Sequence, residues 1–230
     1  MPLYTFYMAK SAGVNPATGE QLYWAYDLPE GMEKAEWKGD TPVDEEGNAL
    51  ELYRTSDIDK ATSSKFYFDG RMPDFYGSVG TEFKIFNIVD VSFLGTYSIG
   101  GNIIDGLYNG CMRVSKAGET WHKNQLRRWQ KPGDVTDIPR VEIQPKYVSN
   151  DHDLIDASYF AIKNITVGFT LPEKWLNKIK STKLRIYVAM DNIATFTHMD
   201  GMDPQYDFRG YTDNAYTPSK TYSIGLNIGF

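Results

Sequence analysis

The stretch from Lys220 to Phe230 alternates without exception: Tyr222, Ile224, Leu226, Ile228 and Phe230 fall on one side, and Ser223, Gly225, Asn227 and Gly229 on the other. A period of two predicts a β-strand with one apolar face and one small or polar face. Its length, roughly 11 residues, is what a tilted strand needs to cross the hydrocarbon layer of a bilayer. Lys183 to Asn192 follows the same rule, with Leu184, Ile186, Val188 and Met190 opposite Arg185, Tyr187, Ala189 and Asp191. Charge on the second face argues against a dry core there. Ser158 to Leu171 sets Ile165, Val167, Phe169 and Leu171 against Asn164, Thr166, Gly168 and Thr170, and Pro172 ends the ladder by removing a donor. Phe75 to Ile85 and Val89 to Ile99 form a further pair around Phe86-Asn87-Ile88, a linker short enough for a hairpin. Five strands share one grammar.

The connectors alternate in length. Phe86 to Ile88 and Pro172 to Thr182 are short, whereas Gly100 to Ala157 and Ala194 to Ser219 are long. Transmembrane barrels have short periplasmic turns and long outer loops, and with Phe230 at the periplasmic end both long connectors fall outside by up-and-down counting. Within one short connector, Trp175, Leu176 and Ile179 have the spacing of a helical turn or two with an apolar side, at the membrane interface. The first 70 or so residues alternate less cleanly. Leu3 to Met8 and Gln21 to Tyr26 suggest strands around the Asn15-Pro16-Ala17-Thr18-Gly19 turn, in a hairpin outside the membrane, and Thr41 to Gly47 suggests a solvated acidic loop.

Composition narrows the functional classes. Aromatic residues at 14%, including 16 Tyr, with a mean hydropathy of -0.45, fit strands that show apolar side chains to lipid on alternate positions. No run approaches the roughly 20 apolar residues of a membrane-crossing helix. A net charge of -6, with no basic run longer than Arg127-Arg128, argues against nucleic acid as a partner. Cys111 stands alone, so no internal disulfide or thiolate metal cluster is available.

Candidate chemistry is sparse. Asp44-Glu45-Glu46 lacks the spacing of a calcium loop, and His122, His152 and His198 lie too far apart for a local zinc motif. Gly100 to Gly106 is glycine-rich but has no following Lys-Ser/Thr, and no nucleophile elbow occurs. We expect no enzyme, no metal and no cofactor. The long connectors instead concentrate Trp121, Trp129, Tyr206, Phe208, Tyr211 and Tyr216 with Arg127 and Arg128. Aromatic rings offer large contact areas at low entropic cost, so these eight are the candidate contacts for substrate or for a covering partner. Packing of loop on loop is the alternative for each.

Several strings resemble a known family. They are Gly13-Val14-Asn15-Pro16-Ala17-Thr18-Gly19, Arg128-Trp129 with Pro132-Gly133-Asp134-Val135-Thr136-Asp137-Ile138-Pro139-Arg140, Asp156-Ala157-Ser158-Tyr159 with Lys163-Asn164-Ile165-Thr166-Val167-Gly168-Phe169, and Gly201-Met202-Asp203-Pro204. In this order they resemble the C-terminal signatures of SusC/RagA-type TonB-linked outer-membrane proteins.

The resemblance implies an all-β fold, an antiparallel transmembrane β-barrel segment belonging to a plugged barrel of the 22-stranded kind. It implies import of oligosaccharides or peptides across the bacterial outer membrane, with energy from TonB and a SusD-like surface lipoprotein as lid. Residues 1–230 are then expected to be the C-terminal portion of the barrel, with 1–73 mainly loop and hairpin and 74–230 the five membrane strands and their outer loops. The export signal, TonB-contacting segment and plug are expected to lie elsewhere, because Met1-Pro2-Leu3-Tyr4 opens no basic-then-apolar leader. The resemblance also assigns a role to Tyr222, Ile224, Leu226, Ile228 and Phe230, as the signal by which barrel-assembly machinery recognises the strand. A small independent barrel or adhesin, and a soluble β-sandwich that binds glycans, are the alternatives. A sandwich would bury the apolar faces of two sheets against each other.

Overall fold

The computed structural model describes residues 5–113, 118–142, 147–176, 178, 181–200, 203–206, 209–212 and 217–230. In chain order the elements are β1 (Phe6–Val14), β2 (Gln21–Ala25), β3 (Glu36–Lys38), β4 (Thr41–Val43), β5 (Tyr53–Thr55), α1 (Ile58–Ser63), β6 (Lys65–Phe68), β7 (Phe75–Ile85) and β8 (Val89–Ile99). There follow β9 (Asn102–Asp105), α2 (Gly106–Met112), β10 (Leu154–Asp156), β11 (Tyr159–Thr170), α3 (Glu173–Leu176), β12 (Lys183–Thr197), β13 (Tyr211–Thr212) and β14 (Thr221–Gly229). All five predicted membrane strands are present, antiparallel, in one sheet of order β14-β12-β11-β8-β7.

Register turns the alternation of each strand into rows that cross the whole sheet. One row is Ile85, Val89, Phe169, Ile186 and Leu226; the next is Phe83, Val91, Val167, Val188 and Ile224. These side chains are uncovered, with Phe83 61%, Val167 45% and Ile224 82% exposed. Among the described residues no second sheet lies on them, as the face-to-face packing of a sandwich would require. A continuous apolar face of this size is unfavourable in water but is what lipid requires. The opposite face carries Glu82, Ser92, Thr166, Ala189 and Ser223 in one row, and Lys84, Asp90, Gly168, Tyr187 and Gly225 in another. There Arg185 Nε donates to Asp90 Oδ1 at 3.0 Å. Gly168 sits beneath this ion pair, where a β-carbon would lie 2.5 Å from Arg185 Nη2 and from Asp90 Oδ1.

Strict alternation along β11 would put Phe160 and Ile162 on the polar face with Asn164. The strand prevents this with a bulge between Ile162 and Asn164, after which Ile162 pairs with Gly95 and Phe160 with Tyr97 on the apolar side. One extra residue flips the phase. On β12, Asn192 adopts φ 51°, and the strand continues to Thr197 instead of ending at Asn192. The β7–β8 hairpin turns through Phe86 and Asn87, at φ 50° and 55°, with Ile88 N–H donating to the Ile85 carbonyl at 2.9 Å. Left-handed residues at both positions match the twist of a hairpin.

The two short connectors lie at one end of the sheet. Thr170 N–H donates to the Ile88 carbonyl at 2.7 Å, and Thr182 N–H to the Gly229 carbonyl at 2.9 Å. The predicted short helix is α3, with Leu176 buried and Trp175 57% exposed; Ile179 lies outside the described residues. No helix among the described residues is long and apolar enough to cross a membrane.

At the other end the first 70 or so residues and the long connectors are folded. A four-stranded sheet, β5-β2-β1-β6, packs with α1 around Ala9, Tyr23, Ala61 and Val148. The β3–β4 pair covers Tyr26 and Phe66 through Trp37, whose ring meets Phe66 at 5.6 Å. The predicted loop at Thr41 to Gly47 therefore starts as a strand, with Pro42 and Val43 buried; only from Asp44 is it an exposed turn, closed by Asn48 N–H on Asp44 Oδ1 at 2.7 Å. A small sheet, β10-β9-β13, buries Ile103 against Ala157 and Met199.

Candidate functional site

The outer-loop end is assembled by contacts between segments that are distant in sequence. Gly19 adopts φ +75°, and a β-carbon there would be 2.5 Å from the Trp129 ring. Trp129 Nε1–H donates to the Pro16 carbonyl at 2.9 Å, and Gly133 N–H to the same carbonyl at 2.8 Å. Arg140 Nη1 donates to the Thr18 carbonyl at 2.8 Å and Nη2 reaches Glu20 Oε1 at 3.3 Å, while its Nε bonds Glu142. Local turns pre-shape both partners: Asp134 accepts from the Gln130 and Lys131 amides at 3.1 and 3.0 Å, and Asn15 Oδ1 from Ala17 N–H at 2.9 Å. Side chains that satisfy turn amides in this way fix the loop without a sheet. Two of the strings that carried the family resemblance thus clasp one another.

Beside the clasp lies a half-open cavity of about 380 Å³, between β2, α2, the Ile138–Glu142 stretch and the Tyr147–Asp153 stretch. Its polar centre is Asp153, buried, which accepts from Arg113 Nη2 at 2.9 Å, from Ser149 Oγ at 3.1 Å and from the Tyr147 hydroxyl in a short bond. The Arg113 guanidinium stacks on Tyr147, 3.6 Å from the ring centroid. Burial, with the Asp153 charge next in size, pushes the Tyr23 hydroxyl up to about 12 and the Tyr147 hydroxyl higher still. Both phenols stay neutral hydrogen-bonding groups at any physiological pH. Asp151 accepts from Ser11 N–H at 2.6 Å, and burial raises its carboxyl above the usual range even so.

The candidate contact residues are not all in one place. Arg128 lies over Trp121 at 5.2 Å from the ring centroid and donates to the Gln125 carbonyl at 3.1 Å. Arg127 is exposed, its carbonyl accepting from Thr136 at 2.7 Å. Trp129 is committed to the clasp. Tyr211 belongs to β13, in the separate small sheet, and is 46% exposed. Tyr206 closes a short 3-10 turn, Pro204–Tyr206, and Phe208 and Tyr216 lie outside the described residues. Tyr222, Ile224, Leu226 and Ile228 share the apolar side of β14 and Phe230 follows its end; the five are 48–91% exposed. The cavity residues Tyr23, Asn109, Arg113, Gln125, Tyr147 and Asp153 were not foreseen, since they come from separate segments and none sits in a motif. No group of three or more metal-ligating side chains occurs among the described residues.

Comparison with known proteins places this geometry. No family model matches the chain. Two curated proteins of Formosa agariphila do. TonB-dependent receptor P3 is 24% identical over 220 residues, covering 91% of this chain and 21% of that protein. TonB-dependent receptor P39 is 26% identical over 190 residues, covering 75% of this chain and 18% of the relative. Among solved structures, the RagAB peptide transporter superposes with a TM-score of 0.74 at 24% identity, over 98% of this chain and 23% of the other. The RagAB peptide importer in its open-open state gives 0.71. The chain spans about a fifth of the length of these relatives. Over most of its length the chain is similar to part of these TonB-dependent receptors, and its fold is that of the matching part of the RagAB outer-membrane β-barrel.

Proposed function

We propose that this chain forms part of the wall and outer loops of an energy-coupled importer of oligosaccharides or peptides. The whole protein would add the remaining strands, a plug and a TonB-contacting segment, and would work with a SusD-like surface lipoprotein. The observation that carries this reading is the five-stranded sheet with lipid-compatible rows on one face and a charged, hydroxyl-bearing face behind it. A polar inner face suits a water-filled or plugged lumen. The RagAB likeness, at the level of fold, supports the same assembly.

In this scheme β14 is the strand captured during barrel assembly, through Tyr222, Ile224, Leu226, Ile228 and Phe230. A barrel in lipid must pair every edge, because unpaired backbone groups cannot be hydrated there. The outer loops, including Trp121, Arg127 and Arg128, would meet substrate or lid.

The test is uptake of labelled peptide and oligosaccharide pools by cells with and without the full-length protein, each with and without a protonophore. Loss of one pool's uptake both on deletion and on uncoupling is expected. Equal uptake in all four conditions contradicts the proposal.

A further inference from the structure

The bulge on β11 is matched by another on β12. Between the pairs Ile162 with Ala194 and Asn164 with Asp191, β11 carries one extra residue, Lys163, and β12 carries two, Asn192 and Ile193. Bulges interrupt the ladder and re-aim the side chains they carry. Here they border a second half-open cavity, of about 290 Å³, whose wall includes Lys163, Asn192, Thr195, Asp203, Gln205 and Lys220. Asp203 and Pro204, from the last of the strings that carried the family resemblance, begin a strap on this wall, and the strap is held firmly. Gln205 Nε2 lies 2.9 and 2.8 Å from the two Asp203 oxygens and 2.9 Å from Thr195 Oγ1. The Gln205 backbone N–H and the Thr195 hydroxyl donate to Asp203 at 3.0 and 3.1 Å, and the buried Arg71 donates to the Pro204 carbonyl at 2.7 Å. A carboxylate has about four acceptor sites, so those of Asp203 are occupied by neutral donors within the strap.

The two lysines differ from the arginines of the first cavity, where Arg113 is paired with Asp153 and Arg140 with Glu20 and Glu142. Among the described residues neither Lys163 nor Lys220 has an acidic partner at ion-pair distance. The wall holds no ionisable residue besides these two and Asp203. Two ammonium groups against one carboxylate leave it positive, in a chain whose net charge is -6. Each ammonium carries three rotatable donors, and Asn192 Nδ2 adds another, since its bond to the Ser219 carbonyl is long at 3.4 Å. Donors in excess around one surplus positive charge are the complement of a singly charged group with two acceptor oxygens. The volume lies near the lower end of ligand pockets, roughly 300–1,000 Å³, which suits one acidic group with the few carbons that bear it. We propose that this cavity is a subsite for a carboxylate, held between Lys163 and Lys220. On the importer reading, on which this step rests, the carboxylate belongs to the imported chain, as an acidic residue of a peptide or a uronic acid of an oligosaccharide.

Saturation-transfer NMR titrations of the full-length protein in detergent micelles test it. The acidic probes are acetyl-glutamate amide and methyl galacturonide, each beside its neutral twin, acetyl-glutamine amide and methyl galactoside. The double variant Lys163→Met, Lys220→Met is expected to weaken binding of at least one acidic probe by roughly tenfold or more, as for the loss of hydrogen bonds to a charged group, and to leave the neutral twins unchanged. Lys178→Met, an exposed residue of the short connector at the opposite end of the sheet, is expected to change none of the four. The acidic probe that responds identifies the source of the carboxylate. The subsite is overturned if neither acidic probe separates the double variant from the native protein, if the neutral twins weaken as much, or if Lys178→Met has the same effect. If the double variant yields no barrel in the outer membrane, Lys220→Met decides alone, since Lys220 is exposed and precedes β14. The uptake assay separates the two claims. Lysine-dependent binding with no protein-dependent import defeats the importer reading and leaves the subsite standing; import with no lysine-dependent binding does the reverse.

Discussion

Trp129 donates its indole N–H to the Pro16 carbonyl at 2.9 Å across 113 residues of sequence, while its ring covers Gly19 so closely that a β-carbon there would be 2.5 Å away. The first contact fixes distance and the second fixes the angle at which the two loops meet. Together they hold one wall of the cavity.

Gly19→Ala is therefore expected to destabilise the outer-loop assembly by about 1–3 kcal/mol, because it combines a left-handed φ with a clash. Trp129→Phe keeps most of the burial and loses one hydrogen bond, about 1 kcal/mol. Limited proteolysis of the full-length protein from the outer face measures both, with faster cleavage near residue 130 in Gly19→Ala than in Trp129→Phe.

The five strands were legible in the sequence because an uninterrupted period of two has one structural solution, and the register preserved it across the sheet. The bulge at Ile162/Asn164 was not, since a phase flip leaves no local trace beyond Phe160 and Ile162 standing on the wrong side. The outer loops were harder still. Trp129 was visible as an aromatic in a family string, but its role depends on Pro16 and Gly19, and loop aromatics pack inward or outward according to partners that periodicity does not encode. Asn109 and Gln125 carried no signal at all, as a cavity built from segments distant in sequence is a property of tertiary structure alone.

Arg185 and Asp90 face each other over Gly168 on the polar side, both about four-fifths buried. Arg185→Met leaves Asp90 without its cation in a poorly hydrated site, and a loss of about 1–3 kcal/mol is expected, with Asp90→Asn, Arg185→Met recovering part of it. Gly168→Ala is expected to break the pair sterically. Unfolding midpoints of the full-length barrel in urea, read by its heat-modifiable gel mobility, rank the variants.

Alkaline pH is expected to loosen the outer-loop assembly. The Tyr23 hydroxyl is raised from about 10 in the unfolded chain to about 12 in the folded one, so the folded state holds its proton more tightly. Its contribution is fully present below pH 10 and is lost as pH climbs through 12, by on the order of 2 kcal/mol. Tyr23→Phe should flatten this part of the pH profile, measured as protease resistance of the outer loops between pH 9 and 12.

Phe230→Ala is expected to lower the outer-membrane yield of the full-length protein more than Tyr211→Ala does. Phe230 directly follows β14 and is 91% exposed, whereas Tyr211 belongs to a small sheet among the long connectors. Equal yields would remove the assembly role from Phe230.

The most direct test is a nitroxide scan of positions 222 to 228 in the full-length protein in bilayers, after removal of native cysteines, reading collision rates with oxygen and with a water-soluble nickel complex. Oxygen access should peak at 222, 224, 226 and 228 and nickel access at 223, 225 and 227, as lipid on one side and an aqueous or polar interior on the other demand. Low access to both reagents at the even positions would mean that the Tyr222–Ile228 face is covered by protein, and the account would be wrong.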